Sequence, residues 1–265
     1  MKRAFLFASL FLLLAAPCCY AGRISLVTTV TSEVAGATLN VSLSVINSGD
    51  EAARRFSPHI NAAGRTVSAD RANALSPGAT YRTALKFDLK SIKPGIYPLL
   101  IVLNYEDANQ HPFSALVAQT YKYGATLLPL TSCEITPVRL SGTARTEVKV
   151  MNGGGKGLAG SVKLFLPNEL KADPNGIKMD LLGGSEKNFS FTLRNLSALN
   201  GSSYQIFAII EYDLNDFHQT VITPGTVSVT APGSLLDIST FQLLYIFITL
   251  IVILIAVQFV PRIRK

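Results

Sequence analysis

The chain has 265 residues, of which 48% are hydrophobic and only 15% charged, with three cysteines, three histidines and no tryptophan. Its formal charge is +7, but five basic residues and no acidic ones sit at the two ends: Lys2 and Arg3 at one, Arg262, Arg264 and Lys265 at the other. Taking these five from 24 leaves 19 basic against 17 acidic residues, a net of about +2, which excludes a broad basic face for nucleic acid.

Lys2 and Arg3 precede the apolar run Ala4 to Ala16, and Pro17-Cys18-Cys19-Tyr20-Ala21 follows. This is the layout of a secretory signal peptide, with small residues where a signal peptidase reads them. Residues 1–21 are expected to be removed by a cut after Ala21. A retained anchor and lipidation at Cys18 or Cys19 are the alternatives, but Pro17 and Cys18 are not the small residues that precede a lipoprotein cysteine. Removal of the leader leaves Cys133 alone, so no intramolecular disulfide is expected. Cys133 reads as a small core residue, with an intermolecular bridge or a reactive thiol as the other options.

From residue 22 to 237 the chain reads as strands. Leu39, Val41, Leu43 and Val45 alternate with Asn40, Ser42 and Ser44, and Tyr81, Leu85, Phe87 and Leu89 fall in the same period of two. The denser run Ile96 to Leu103 suits a central strand. Val148 and Val150, then Val162, Leu164 and Leu166, then Phe189, Phe191 and Leu193 repeat the pattern in the second half. Turn signals separate them at Asn47-Ser48-Gly49, Ser76-Pro77-Gly78, Lys93-Pro94-Gly95, Asn152-Gly153-Gly154 and Pro174-Asn175-Gly176. No amphipathic helix is expected outside the two ends.

The halves also match each other. Val45 to Gly49 pairs with Val150 to Gly154, Leu75 to Gly78 with Leu181 to Gly184, and Leu99 to His111 without a gap with Ile206 to His218. Markers kept in order at near-constant spacing argue for a tandem duplication. The expected fold is therefore all-β: two tandem immunoglobulin-like β-sandwiches of about seven strands each, over 22–123 and 125–231.

After a short linker at 232–237, residues 238–261 contain no charged side chain and are long enough for one transmembrane helix. Arg262, Arg264 and Lys265 follow at once, and basic residues so placed favour the cytoplasmic side. The expected topology is single-pass type I: both sandwiches exported, periplasmic or extracellular, and a basic cytoplasmic tail at 262–265. That tail is too short to signal, and the linker too short for a stalk.

An opening strand, a V-x-N-x-G turn at Val45 to Gly49, an L-x-P-G turn at Leu75 to Gly78 and a closing hairpin ending at Tyr105 resemble the bacterial immunoglobulin-like domains of the CARDB kind, similar to modules that accompany secreted glycosidases. The second unit departs where Pro77 is replaced by Gly183. The resemblance implies an adhesive, accessory or spacer module of a cell envelope; it does not fix a function.

Candidate chemistry is sparse. Gly155 to Gly160 matches G-x-G-x-x-G, but the residues after it alternate like a strand, whereas the dinucleotide motif needs a helix there. The closing hairpins are the most polar repeated feature, with Glu106, Asp107, Asn109 and His111 in one and Asp213, Asn215, Asp216 and His218 in the other. Oxygen ligands at such spacing suit calcium, yet Asp and Asn also build turns, and the turn reading is preferred. No cofactor, metal site or catalytic centre is expected: no nucleophile elbow occurs and no carboxylate pair stands out. Tyr121 and Tyr123, with Tyr81, Tyr97 and Phe113, offer at most a weak sugar-stacking platform and read better as core or seam residues. The expected function is that of a non-enzymatic, membrane-anchored scaffold or interaction module with a protein partner at or in the membrane; the alternative is surface carbohydrate binding or adhesion.

Overall fold

The structure, a computed structural model, describes residues 22–124, 128–231 and 244–251. The leader with Ala21, the linker at 232–237, most of the stretch 238–261 and the tail with Arg262, Arg264 and Lys265 lie outside the described residues.

Seventeen strands occur among the described residues. The first eight are β1 (Leu26–Ala35), β2 (Thr38–Asn47), β3 (Ala53–Ala62), β4 (Arg65–Ser68), β5 (Ala72–Leu75), β6 (Thr80–Asp88), β7 (Gly95–Glu106) and β8 (Pro112–Tyr123). The remaining nine are β9 (Thr131–Ile135), β10 (Val138–Leu140), β11 (Thr143–Asn152), β12 (Leu158–Phe165), β13 (Leu170–Asp173), β14 (Ile177–Leu181), β15 (Glu186–Asn195), β16 (Ser203–Leu214) and β17 (Phe217–Val229).

In the first sandwich the sheet β1-β2-β6 faces a second layer built on β3, β7 and β8. The alternation of β2 turns Leu39, Val41, Leu43 and Val45 inward, against Phe56, Leu99, Ile101 and Leu103 from the other layer. Full burial of each such side chain is worth roughly 1.5–3 kcal/mol. The second sandwich repeats the plan with β9-β11-β15-β13 facing β12, β16 and β17 around Val148, Val150, Phe191, Leu193, Ile206 and Ile210. The strand pairing β1-β2-β6 corresponds to β9-β11-β15, and β3-β7-β8 to β12-β16-β17. The chain is thus an all-β protein of immunoglobulin-like sandwiches, with one or two short strands more per unit than the sequence suggests.

The repeated turn has one physical cause in both units. Asn47 is fully buried at the end of β2; its side-chain amide donates to the carbonyls of Glu51 (2.7 Å) and Leu75 (2.9 Å), and its oxygen accepts from Gly49 N–H (3.1 Å). Asn152 does the same at the end of β11, donating to Lys156 (2.8 Å) and Leu182 (3.0 Å) and accepting from Gly154 (3.0 Å). Each asparagine, itself buried, ties the backbone of its own loop to the turn that follows the next strands.

Residues 244–251 are helical, and the apolar side chains from Leu244 to Ile248, with Leu250, are exposed. No described helix is long and apolar enough to cross a membrane; the span expected over 238–261 is represented only by these eight residues.

Candidate functional site: the seam between the sandwiches

The two inner layers run together. β17 and β7 meet in parallel at one bridge, His218 opposite Gly95, so a single ten-stranded sheet crosses both sandwiches. The approach requires glycine: a Cβ on Gly95 would lie 2.3 Å from the His218 carbonyl oxygen and 2.7 Å from its nitrogen. His218 N–H donates to the carbonyl of Pro94 at 3.0 Å.

Beside this bridge the outward faces of the strands meet. Leu116, Phe207 and Ile209 are buried yet belong to neither core, because the pleat turns them away from the sandwich interiors. Leu100 and Val102 of β7 face Phe165 and Ile209 across a groove of about 780 Å³ that also reaches His59, Lys163, Glu211 and His218. A second groove, about 540 Å³, is lined by Arg55, His59, Arg71, Asn73 and Asn104 from one sandwich and Asn168, Glu169 and Ser197 from the other. Arg55 sits at a bulge in β3 with φ +50°, a left-handed conformation for a non-glycine residue, and pairs with Glu106 at 3.2 Å.

Polar contacts close the seam at both ends. At one end Glu169, in the loop between β12 and β13, is 2% exposed and accepts from Ser114 N–H (2.7 Å) and Ser114 Oγ (2.5 Å). Its neighbour Asn168 donates to Asn104 Oδ1 at 2.8 Å. At the other end Lys93 Nζ reaches Asp213 at 3.0 Å, and Asp213 holds His218 Nδ1 at 2.9 Å. The His218 ring stacks on Tyr97, with centroids 4.3 Å apart. Its Nε2 lies 3.6 Å from Glu211, a charge contact too long for a hydrogen bond, and Lys163 is 3.4 Å from the other Glu211 oxygen.

The electrostatics follow from this packing. Burial of the His218 ring opposes its protonation, but the Glu211 and Asp213 carboxylates outweigh burial and raise its pKa above the ordinary value. Glu211 is lowered, chiefly by His218 and further by Lys163, against the opposing effect of burial. Asp213 is lowered because Lys93 and His218 outweigh its partial desolvation.

The two polar hairpins that the sequence makes equivalent do different work. Asn215 and Asp216, at φ +49° and +67°, form a two-residue turn of the twisted hairpin type between Leu214 and Phe217. That turn presents Asp213 and His218 to the first sandwich. In the first unit Asp107 closes its own turn by accepting from His111 N–H at 2.8 Å. The His111 ring lies edge-on to Phe113, 4.9 Å between centroids, and Asn109 is exposed. Glu106 binds Arg55 and takes no part in that turn. Among the described residues, no group of three or more His, Cys, Asp or Glu side chains converges as a metal site.

Sequence reasoning singled out Asp213 and His218 but missed Lys93, which binds Asp213, and the separate Ser114–Glu169 contact. Glu169, Ser114 and Lys93 are isolated in the sequence and 55 to 120 residues from the groups they bind. The only local signal was Lys93-Pro94-Gly95, read as a turn. The glycine string at 155–160 ends inside β12: Gly160 is where β12 passes the backbone of Glu211, which a Cβ would meet at 2.2 Å. The aromatic residues considered for sugar stacking are packed: Tyr81 against Phe56, Phe113 against Tyr105, and Tyr97 between Tyr121 and His218. Cys133 packs against the second core, and burial pushes its thiol up to about 11, so it is a poor nucleophile at neutral pH.

No family model and no curated protein matches the chain. Among solved structures, it is similar to alpha-2-macroglobulin from Escherichia coli at 11% identity and a TM-score of 0.34, over 79% of this chain and 17% of that one. It is also similar to an ASH/PapD-like domain of human CEP192 (13% identity, TM-score 0.29, 43% of this chain and 95% of that one). A third is the CsuC–CsuE chaperone–tip adhesion subunit complex of Acinetobacter baumannii (15% identity, TM-score 0.26, 42% and 63%). The chain spans less than a quarter of the macroglobulins it matches. Likenesses this distant say nothing of what the chain does.

Proposed function

We propose that the chain is a non-enzymatic, membrane-anchored envelope protein whose two sandwiches form one fixed interaction surface for a protein partner at or in the membrane. The observation that supports this most is the seam. A module meant only as a flexible spacer has no need of a shared sheet, a buried Glu169–Ser114 contact and a polar cluster of Lys93, Asp213, His218, Glu211 and Lys163 between its domains, since domains in one chain otherwise move freely. The uncharged stretch 238–261, its basic flank and the exposed apolar helix at 244–251 support a single-pass anchor with the sandwiches on the exported side. The CARDB-like turns at Asn47 and Leu75 agree with an accessory role on a cell envelope.

Site-specific photo-crosslinking in cells tests this reading. A crosslinker at Asn73, on the rim of the smaller groove, or at Ser42, on the outer face of β1-β2-β6, is expected to trap a membrane protein as a discrete adduct. If neither position yields a protein adduct while the purified chain retains a glycan from an array, the carbohydrate-binding alternative replaces it.

A further inference from the structure

We propose that the loop of residues 195–202 rests in an anionic lipid surface, inserting Leu196 and Leu199 beside the point where the chain leaves the second sandwich; this rests on the anchored reading above. Single exposed leucines are ordinary, so the argument turns on how these two are held and where. Leu196 is 61% exposed and Leu199 41%. Their loop is held in place: Leu196 and Ser197 N–H donate to the Glu169 carbonyl at 2.8 and 3.3 Å, Asn195 Nδ2 donates to the Ala198 carbonyl at 3.0 Å, Ala198 N–H donates back to Asn195 Oδ1 at 2.7 Å, and Leu199 N–H donates to the Tyr204 hydroxyl at 3.2 Å. Ala198 is buried between them. The leucines are therefore held outward by a preformed turn, at little further cost in order on insertion.

The loop is tied to the exit of the chain. Gly201 N–H donates to the Val229 carbonyl and Val229 N–H to the Ser202 carbonyl, both at 2.8 Å. Thr230 N–H donates to the Leu140 carbonyl at 2.9 Å, and twelve residues, 232–243, separate Ala231 from the described helical residues 244–251. An anchor leaving from Thr230 brings this end of the sandwich nearest the headgroups. The charges here suit an anionic surface. Arg139 on β10, opposite Ser228 of β17, and Lys171 and Arg194, opposite each other on β13 and β15, are all exposed. The nearest acidic partner is Asp173, 3.8 Å from Arg194; Glu169 is turned into the seam. Basic residues near a surface of anionic headgroups add to the apolar contribution.

A second apolar group supplies the control. Leu130 and Leu182, 61% and 76% exposed, lie by the Asn152 turn at the opposite end of the sandwich, where Thr131 meets Tyr212.

The chain contains no tryptophan, so Leu196→Trp, Leu199→Trp and Leu182→Trp each create a single tryptophan in the full-length protein, excited at wavelengths where tyrosine does not absorb. The three variants are reconstituted into phosphatidylcholine–phosphatidylglycerol vesicles with and without brominated acyl chains. Expected are blue-shifted emission and about two-fold quenching by brominated lipid at positions 196 and 199, with no quenching at 182. Omitting phosphatidylglycerol is expected to weaken the quenching; unchanged quenching contradicts the part given to Arg139, Lys171 and Arg194. If the protein floats with the vesicles but 196 and 199 behave like 182, the inference falls and the anchor stands. If the protein does not float, the anchored reading falls and takes this inference with it.

Discussion

Ser114 donates both its backbone N–H and its hydroxyl to the carboxylate of Glu169, at 2.7 and 2.5 Å, across the boundary between the two sandwiches. Glu169 is 2% exposed, and an acidic group in such a place is tolerable only while its oxygens are satisfied. The contact therefore ties the conformation of one domain to that of the other. Glu169→Ala is expected to destabilise the full chain by about 3 kcal/mol, and Ser114→Ala by about 1–2 kcal/mol. A double-mutant cycle from denaturant unfolding checks this. Strictly additive losses contradict a direct coupling.

The paired asparagines give a second prediction. Asn47→Ala takes a partner from the Glu51 and Leu75 carbonyls and from Gly49 N–H, and Asn152→Ala takes one from the Lys156 and Leu182 carbonyls and from Gly154 N–H, at a cost of about 2 kcal/mol apiece. Hydrogen exchange is expected to report each loss in its own sandwich, around Leu75 for the first and Leu182 for the second. Equal loosening of both sandwiches by either variant contradicts two separate cores.

The His218 cluster predicts a pH optimum for the seam. The raised His218 pKa stabilises fully below its ordinary value of 6.5 and loses that contribution as pH rises through the folded-state value above it. The lowered Glu211 and Asp213 pKa values act in reverse: their contributions are present above the ordinary 4.5 and 3.8 and are lost as pH falls through the lower folded-state values. The cluster is thus strongest between about pH 4.5 and 6.5. His218→Gln is expected to flatten the alkaline side of a plot of unfolding midpoint against pH. A wild-type curve with no fall as pH rises above 6.5 contradicts the assignment.

The turn at Asn215-Asp216 predicts a stabilising change. Asp216 has φ +67°, a conformation that glycine adopts without a Cβ penalty. Asp216→Gly is expected to raise stability by about 0.5–1 kcal/mol, read from the denaturation midpoint. A loss of similar size means that the Asp216 side chain holds the hairpin in some other way.

The elements of each sandwich were legible because β2, β6, β11 and β15 each keep one wet face, which writes a period of two into the sequence. The duplication was legible because Asn47 and Asn152 solve the same loop problem with the same residue. The seam was not, for two physical reasons. Its apolar part uses the outward positions of β7, β8 and β16, so Leu100, Val102, Leu116, Phe207 and Ile209 make their strands apolar on both sides, which reads simply as a central strand. Its polar part joins residues such as Ser114 and Glu169, whose separation in sequence leaves no local pattern. The hairpins showed the opposite failure: equivalent in sequence, they diverge because only the second has a domain before it to dock on.

The most direct test of a fixed two-domain surface is a distance distribution between spin labels on Ser44 and Asn188 in the full chain. Both lie on the sheets that do not carry the β7–β17 bridge, and the native cysteines are replaced by serine. Pulsed electron resonance at pH 6 is expected to give one narrow distance that broadens in Glu169→Ala. A broad distribution already present in the unaltered seam contradicts the account.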